Sequence, residues 1–439
     1  MTDIIFSFDT EDFTSSVAAD AVVQEANLLK KHGIKGGFSV VGLLAKQLQN
    51  WGRQDVIDAL KEHIIGNHSY GHTLHPTINE YTDLEDFDAA QKEVLRQESI
   101  SEDLIYNMSG RKPLAFCCPP GNQKSYVAMY TYADMGYPIY ADTVCDTSDG
   151  RGMYYCNIFH SQYTYCMEDF FDMKSEEELQ AVLDMLATQK RAIVYTHPNM
   201  ALFSDWWDKN YRKYNHCEFG EWEECQRRTP DETQRYYRYL DRFMQLIKED
   251  PRFHISNYEE LEAKLKAEKE RVISIADVPR LADVLQQKFY PLSVPCSLSI
   301  ADVFLAAREF LLGGREHKCG KVYGFLDTPY ALCEDVVVSA EGVIEAAKAM
   351  DVARFLPTEI MVDEVKLGPG DWLRAALAVL QGKEKVVLQP GPQQPSLDEA
   401  PMIRDCYFKG EWMQSDEFED RYLSKRLRLQ AWTMRFVDF

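Results

Sequence analysis

The chain has 439 residues, of which 45% are hydrophobic and 27% are charged. This composition is typical of a globular protein, and the length exceeds the roughly 250–300 residues that one hydrophobic core usually supports, so two domains are expected. The 48 basic and 70 acidic residues leave a net charge of -22, which makes nucleic acid and anionic membrane surfaces poor partners.

Short apolar runs alternate with helical patterns over the first 265 or so residues. The predicted strands are "DIIFSF", "IKGGFSVVG", "HIIGNH", "YPIYADT", "RAIVYTH" and "FHISN". The predicted helices are "AVVQEANLLKKHG", "RQDVIDALKEH", a long polar helix around residues 83–106, "YVAMYTYADMG", "EEELQAVLDMLATQK" and one from Thr233 to about Lys248. Strand followed by helix, repeated about seven times, predicts an α/β domain with parallel strands.

An aromatic insertion interrupts this alternation between Asn199 and about Arg228, directly after the strand that ends near His197. Its Trp and Tyr residues allow two interpretations. The insertion is either a substrate platform or lid beside a site, or a loop that packs its own rings onto the domain.

The character of the chain changes after the charged stretch "EELEAKLKAEKERV" at residues 259–272. The segments "SLSIADVFLAAREFLLGG", "VSAEGVIEAAKAM" and "GPGDWLRAALAVLQG" are typical of helices. We therefore expect an α/β domain over residues 1–267 and a mainly helical accessory domain over residues 268–439.

The sequence also favours a cytoplasmic location. The N-terminal "MTDIIFSFDTEDF" has neither the basic region nor the apolar stretch of a secretory signal. No run of about 18 apolar residues predicts a membrane span. Eleven scattered cysteines, an odd number, suit a reducing compartment better than a disulfide framework. The oligomeric state is left open.

Residues suited to metal chemistry follow the predicted strands. His68 and His72 are four residues apart and would share one face if that segment were helical. A carboxylate could come from "FSFDTEDF", which ends the first strand. A catalytic metal site uses three protein ligands of this kind and keeps one position open for water. We therefore predict a site for a divalent transition metal, with zinc the expected ion.

Several motifs occur in the order seen in a known family. "GNHSYGH" resembles the His-Ser/Thr-x-x-His metal motif of the polysaccharide deacetylases (carbohydrate esterase family four). "GGFSVVG", "IVYTH" and "FHISNYEEL" are similar to family strands before and after that motif. The resemblance covers roughly residues 3–260. It implies a distorted parallel barrel of about seven strands, a (β/α)7 fold.

The resemblance also implies roles for individual residues. His68 and His72 would bind the metal, with Asp12 or Glu11 as the carboxylate ligand; we favour Asp12, although strand alternation would put Glu11 on the side of Asp9. Asp9 would be the general base. The remaining assignments are His197 as the general acid, a backbone N–H near Pro120 and Gly121 for the oxyanion, and Asp142 as a residue that orients the site.

One motif departs from the family pattern. The family carries an Arg that orients the base, whereas this chain has "AFCCPPGN", with Cys117 or Cys118 in that place. The departure indicates either a divergent subfamily with a different substrate or a weakened enzyme.

The predicted function is a metal-dependent hydrolase that removes an N-acetyl or other acyl group from an amino sugar or a glycan that contains one. Two alternatives stay open. The first is a C–N hydrolase that acts on a small non-sugar amide with the same barrel, and the second is a non-catalytic carbohydrate-binding protein. Residues 270–439 faintly resemble helical repeats that bind pseudomurein or related polymers. The alternative is that they form only a helical accessory domain.

Overall fold

The computed structural model describes residues 1–121, 123–142, 144–212, 217–410 and 412–437. The chain divides into two compact units. The first, here called the barrel unit, contains Met1–Gly152, Ile158–Ala267 and Asp405–Leu423, and the second contains Met153–Asn157, Glu268–Arg404 and the residues from Ser424 onward. The segment Asp405–Leu423, which we expected in the second domain, thus belongs to the barrel unit.

The strands are β1 (Thr2–Thr10), β2 (Gly37–Val40), β3 (Ile64–Asn67), β4 (Ile139–Asp142), β5 (Met153–Tyr155), β6 (Ile158–Cys166), β7 (Arg191–Thr196), β8 (Phe253–Ile255), β9 (Val272–Ser274), β10 (Glu316–Lys318), β11 (Val336–Ser339), β12 (Ile360–Val362), β13 (Val365–Leu367), β14 (Lys385–Leu388) and β15 (Arg435–Phe436). The predicted strands of the first 265 residues correspond to β1, β2, β3, β4, β7 and β8. The strand β6 was missed, because its sequence "IFHSQYTYC" mixes polar residues into the apolar positions.

The α-helices are α1 (Ala19–His32), α2 (Gly42–Asn50), α3 (Gln54–Leu60), α4 (Ile78–Thr82), α5 (Phe87–Ser109), α6 (Tyr126–Met135), α7 (Glu176–Leu186), α8 (Pro230–Glu249), α9 (Tyr258–Lys266), α10 (Val278–Gln287), α11 (Ile300–Leu311), α12 (Ala340–Ala349), α13 (Pro369–Leu380), α14 (Pro401–Arg404) and α15 (Leu423–Leu429). Among the residues that the structure describes, no helix combines the length and the apolar character needed to cross a membrane.

The strands of the barrel unit close into a parallel ring. Strand β1 pairs with β7 on one side and with β2 on the other, and β2 pairs with β3. On the far side β6 pairs with both β4 and β7. The gap between β3 and β4 is bridged by Cys117, which pairs in parallel with Asn67 and with Tyr140. The expected α/β fold with a distorted (β/α)7 barrel is therefore confirmed.

Two glycines allow aromatic rings to fill one side of the barrel. A Cβ atom on Gly37 would lie 2.4 Å from the ring of Tyr258, and one on Gly66 would lie 2.5 Å from Phe116. The rings of Phe116 and Tyr258 stack with their centroids 3.7 Å apart. The glycines of "GGFSVVG" and "HIIGNH" therefore serve close packing between the strands and this ring pair.

The second unit is built around helices α10, α11, α12 and α13, whose buried faces share one hydrophobic core. Four antiparallel strand pairs accompany them among the described residues, namely β5 with β15, β9 with β10, β11 with β14 and β12 with β13. Helix α11 begins with a capping box formed by Ser299 and Asp302, and Arg271 binds the same carboxylate at 2.7 Å. The likeness to polymer-binding repeats stays a prediction.

Candidate active site

Three predicted or candidate ligands converge at the carboxyl end of the barrel strands. Glu11 Oε2 lies 2.7 Å from His72 Nε2 and 3.4 Å from His68 Nε2, and all three side chains are buried. One carboxylate oxygen of Glu11 and one ring nitrogen of each histidine lie within 4.8 Å of one another. Two imidazoles and one carboxylate form the donor set of many catalytic transition-metal sites.

The chemistry of these residues fits a bound cation. Neither ring nitrogen of His68 makes a hydrogen bond within the described part of the chain, although the residue is only 2% exposed. A buried imidazole without a partner is costly, and a metal ion would satisfy it. Burial opposes ionisation of Glu11, yet the adjacent His72 and His68 hold the pKa of its carboxyl well below the usual range. Its second oxygen, Oε1, accepts a hydrogen bond from Trp207 Nε1 at 2.8 Å, which orients the carboxylate.

The two histidines meet through a tight loop rather than along a helix. Strand β3 ends at Asn67, and the following backbone enters the left-handed region at Ser69 (φ 66°) and at His72 (φ 53°). The two imidazole rings lie with their centroids 5.1 Å apart. The condition of a helical segment is therefore not met, although the two rings still lie beside each other.

The carboxylate that we favoured from sequence lies elsewhere. Asp12 Oδ1 accepts hydrogen bonds from the backbone N–H and the hydroxyl of Thr14, at 2.9 and 2.7 Å. Burial raises the pKa of Asp12 to about 7. Strand β1 ends at Thr10, and the alternation of side chains along it puts Glu11 on the side of Asp9 and Asp12 on the other. Glu11, the alternative that the sequence left open, takes the place beside the histidines.

Asp9 is oriented by hydroxyl groups. Its Oδ1 accepts hydrogen bonds from Tyr163 Oη at 2.6 Å and from Ser39 Oγ at 2.7 Å, and Cys118 Sγ lies 3.7 Å from the same oxygen. Its other oxygen, Oδ2, lies 3.7 Å from His197 Nε2. The thiol thus stands where the family's Arg was expected, and two hydroxyls hold the carboxylate. Tyr163 was missed with its strand, β6.

His197 follows strand β7 and pairs with a second carboxylate. Its Nδ1 lies 2.6 Å from Glu168 Oε1. Burial lowers the pKa of His197, but the charge and hydrogen bond of Glu168, together with the charges of Glu11 and Asp9, outweigh it and raise the pKa to about 10. The imidazole is therefore held in its protonated form at neutral pH. Glu168 had no motif to mark it, because it lies 29 residues before His197 in the chain.

These groups surround one cavity of about 490 Å³. Its wall includes the catalytic candidates Asp9 and His197, the metal-ligand candidates Glu11, His68 and His72, and also Pro120, Gly121, Trp206, Asp208, Arg212, Trp412 and Met413. Asp142 is buried but does not line the cavity; its Oδ1 would lie 3.5 Å from a Cβ atom on Gly121. The volume is within the range of small-molecule sites, roughly 300–1,000 Å³.

The aromatic insertion contributes to both the wall and the packing behind it. Trp206, Asp208 and Arg212 line the cavity. Trp207 is fully buried and packs edge-on against Phe13, with the ring centroids 4.7 Å apart. Residues 213–216 of the insertion lie outside the described residues. Trp207 therefore packs onto the domain as one interpretation expected, and a substrate platform formed by the residues that line the cavity stays a prediction.

Comparisons with known proteins agree with the motifs. Residues 2–140 match the sequence model of the polysaccharide deacetylase family. No curated protein matches the chain significantly.

Solved structures give weak overall similarity. The chain is 16% identical to a CE4 family pseudoenzyme from Bacillus anthracis, covering 60% of this chain and 65% of that chain with a TM-score of 0.35. It is 13% identical to a family 4 carbohydrate esterase from Streptomyces lividans in complex with acetate (58% and 92% covered, TM-score 0.32). It is 15% identical to the peptidoglycan deacetylase PdaC from Bacillus subtilis (65% and 96% covered, TM-score 0.32). The residues 2–140 that match the family model contain Asp9, Glu11 and both site histidines.

Proposed function

We propose that the protein is a metal-dependent hydrolase that removes the N-acetyl group from an amino sugar or from a glycan that contains one. The observation that carries this proposal is the arrangement of two functional sets around one cavity. The first set is the Glu11, His68 and His72 cluster, and the second is the pair formed by Asp9 and His197.

Glu11, His68 and His72 would hold a divalent transition-metal ion, with zinc the expected ion. When bound, such an ion supplies Lewis-acid polarisation of the acyl carbonyl and of a nucleophilic water.

Asp9 would act as the general base. Its Oδ1 already accepts two hydroxyl hydrogen bonds, so its Oδ2 is the oxygen that can take a proton from the attacking water. The water oxygen then bonds to the acyl carbon. Gly121 lines the cavity and can offer its backbone N–H to the oxyanion, whereas Pro120 has no N–H to offer.

His197 would act as the general acid. Glu168 keeps the ring protonated, and Nε2 is the nitrogen that points toward Asp9 Oδ2. As the C–N bond breaks, Nε2 would donate its proton to the departing nitrogen, which leaves acetate and a free amino sugar as products.

The absence of the family's Arg keeps a second candidate open, a carbohydrate-binding protein without turnover. The hydroxyls of Tyr163 and Ser39 favour the enzyme, because they orient Asp9 in the way that a catalytic base requires. A C–N hydrolase for a small non-sugar amide would use the same residues and differ only in what the cavity wall accepts.

The test combines metal analysis with acetate release. We expect about one transition-metal ion per chain, and release of acetate from N-acetylglucosamine or its short oligomers by the metal-loaded protein. Asp9→Asn is the matched control, since the amide oxygen still accepts the Tyr163 hydrogen bond but cannot take a proton; this variant should keep its metal and lose acetate release. Metal-loaded protein that binds these saccharides without releasing acetate would overturn the proposal and support the binding protein.

A further inference from the structure

A segment remote in sequence completes the cavity wall. We call residues Asp405–Leu423 the strap; it belongs to the barrel unit although the chain around it belongs to the second unit. Thr77 Oγ1 donates to Gln414 Oε1 at 3.0 Å, and the Ser415 N–H donates to Glu80 Oε1 at 2.5 Å. The strap is therefore fastened beside helix α4, next to the loop that carries His72.

The strap places two side chains in the cavity wall, Trp412 and Met413. Met413 is buried, and its sulfur accepts a hydrogen bond from Gln123 Nε2 at 3.5 Å. Trp412 is different, because 36% of this large apolar residue is exposed. An indole ring that is partly exposed in the wall of a cavity offers a surface on which a ligand can pack.

Arg212 connects the Trp412 ring to the segment that carries Trp207, the hydrogen-bond donor to Glu11. The Arg212 guanidinium lies over it, 4.8 Å from the ring centroid, and Arg212 Nη2 is bound to the buried carboxylate of Asp208 at 3.0 Å. Asp208 follows Trp207, whose indole N–H holds Glu11. The charge of Arg212 is thus paired within the protein, and its stacking fixes the indole ring.

The wall therefore combines two kinds of surface. It carries the polar groups that would act on an amide, and the strap adds the apolar Trp412 and Met413 to the same lining. A pyranose ring has the matching character, since its C–H face is apolar and its hydroxyl rim is polar. Aromatic packing of that face removes apolar area from water while the rim keeps its hydrogen bonds.

We propose that Trp412 is a specificity-determining residue that packs against the sugar ring bearing the N-acyl group, so that the strap selects sugar-linked amides over amides without a ring. This inference rests on the proposed function. It assigns the substrate preference to a segment that lies outside the matched domain of residues 2–140.

The test compares the variants Trp412→Ala and Trp412→Phe with Tyr407→Ala. Tyr407 is the matched control, because it is an aromatic residue of the strap that is 60% exposed and does not line the cavity. Two substrates are used, N-acetylglucosamine and the ring-free amide N-acetylethanolamine. We expect the ratio of their kcat/KM values to fall about tenfold in Trp412→Ala through a higher KM for the sugar, to recover in Trp412→Phe, and to stay at the wild-type value in Tyr407→Ala.

Each outcome decides the question. A wild-type ratio in Trp412→Ala, or an equal loss on both substrates at unchanged metal content and melting temperature, overturns the role of Trp412. If the wild-type protein releases no acetate from either substrate, the proposed function fails, and calorimetric titration of N-acetylglucosamine into wild type and Trp412→Ala then tests the packing alone. Equal binding by these two proteins would refute it, and weaker binding by the variant would support it.

Discussion

The contact between His197 and Glu168 leads to a quantitative prediction for Glu168→Gln. The glutamine keeps an oxygen that can accept the hydrogen bonds which Glu168 Oε1 receives from the His197 ring at 2.6 Å and from the His197 backbone N–H at 3.2 Å. Both side chains are less than one-fifth exposed. The substitution therefore removes the charge and disturbs the geometry little.

The expected magnitude follows from the position of the carboxylate. The pKa of His197 is about 10, against an ordinary value of 6.5; burial works to lower it, and Glu168 is the largest contribution that raises it. An opposite charge in direct contact is worth about one to three pH units in a pKa, and one unit corresponds to about 1.4 kcal/mol. We expect the pKa of His197 in Glu168→Gln to fall by about one to three pH units.

The assay is an NMR titration of protein with labelled histidine, in which the His197 resonance is assigned by its loss in His197→Gln. The general acid must be protonated, so the alkaline limb of the kcat/KM profile should move down in pH by the same amount. A second check is stability. A histidine whose pKa is raised in the folded protein stabilises it fully below pH 6.5, and this contribution is lost as the pH rises through 10. The difference in free energy of unfolding between wild type and variant should therefore shrink between pH 6.5 and pH 10.

An unchanged His197 pKa in Glu168→Gln would contradict this prediction. It would mean that the charges of Glu11 and Asp9, and not that of Glu168, keep the ring protonated. An alkaline limb that does not move while the NMR pKa falls would instead remove His197 from the role of general acid.

Three further predictions concern the ligand set, the base and a buried acid. At a zinc concentration that saturates wild type, Glu11→Gln should hold less than one-tenth of a zinc ion per chain, whereas Asp12→Asn should still bind zinc. Elemental analysis measures this, and the reverse result would make Asp12 the ligand. Tyr163→Phe removes one hydrogen bond to Asp9 and should lower kcat about tenfold with little change in KM, which steady-state kinetics at saturating metal would measure; an unchanged kcat would show that the phenol does not position the base. Burial raises the pKa of Glu25 from 4.5 to about 8. As the pH rises, the unfolded chain therefore loses this proton before the folded chain does. Between pH 4.5 and pH 8 the free energy of unfolding should then fall by about 1.4 kcal/mol per pH unit through Glu25. Glu25→Gln should therefore gain stability relative to wild type between pH 5 and pH 8 in urea unfolding, and parallel curves would contradict it.

Local sequence determined the α/β class and the strands that carry the first motifs. The alternation of apolar runs with helical patterns depends on neighbouring residues only, and it located β1, β3 and β7 together with the residues that follow them. The motif around His68 and His72 is equally local, because both histidines lie in one loop whose left-handed backbone positions are Ser69 and His72.

The choice of Glu11 and the contacts of Tyr163 and Trp412 depend on tertiary structure, because each involves residues that are not neighbours in the sequence or a strand end that the sequence does not mark. The choice between Glu11 and Asp12 depended on where β1 ends, since a shift of one residue moves a side chain to the opposite face. Tyr163 contacts Asp9 across a chain separation of 154 residues, and Trp412 contacts Arg212 across about 200 residues. The periodicity of the sequence carries no information about such contacts. Closure of the barrel brings the candidate metal ligands and the candidate base to one end of the strands, and the return of the strap adds Trp412 and Met413 to the same cavity.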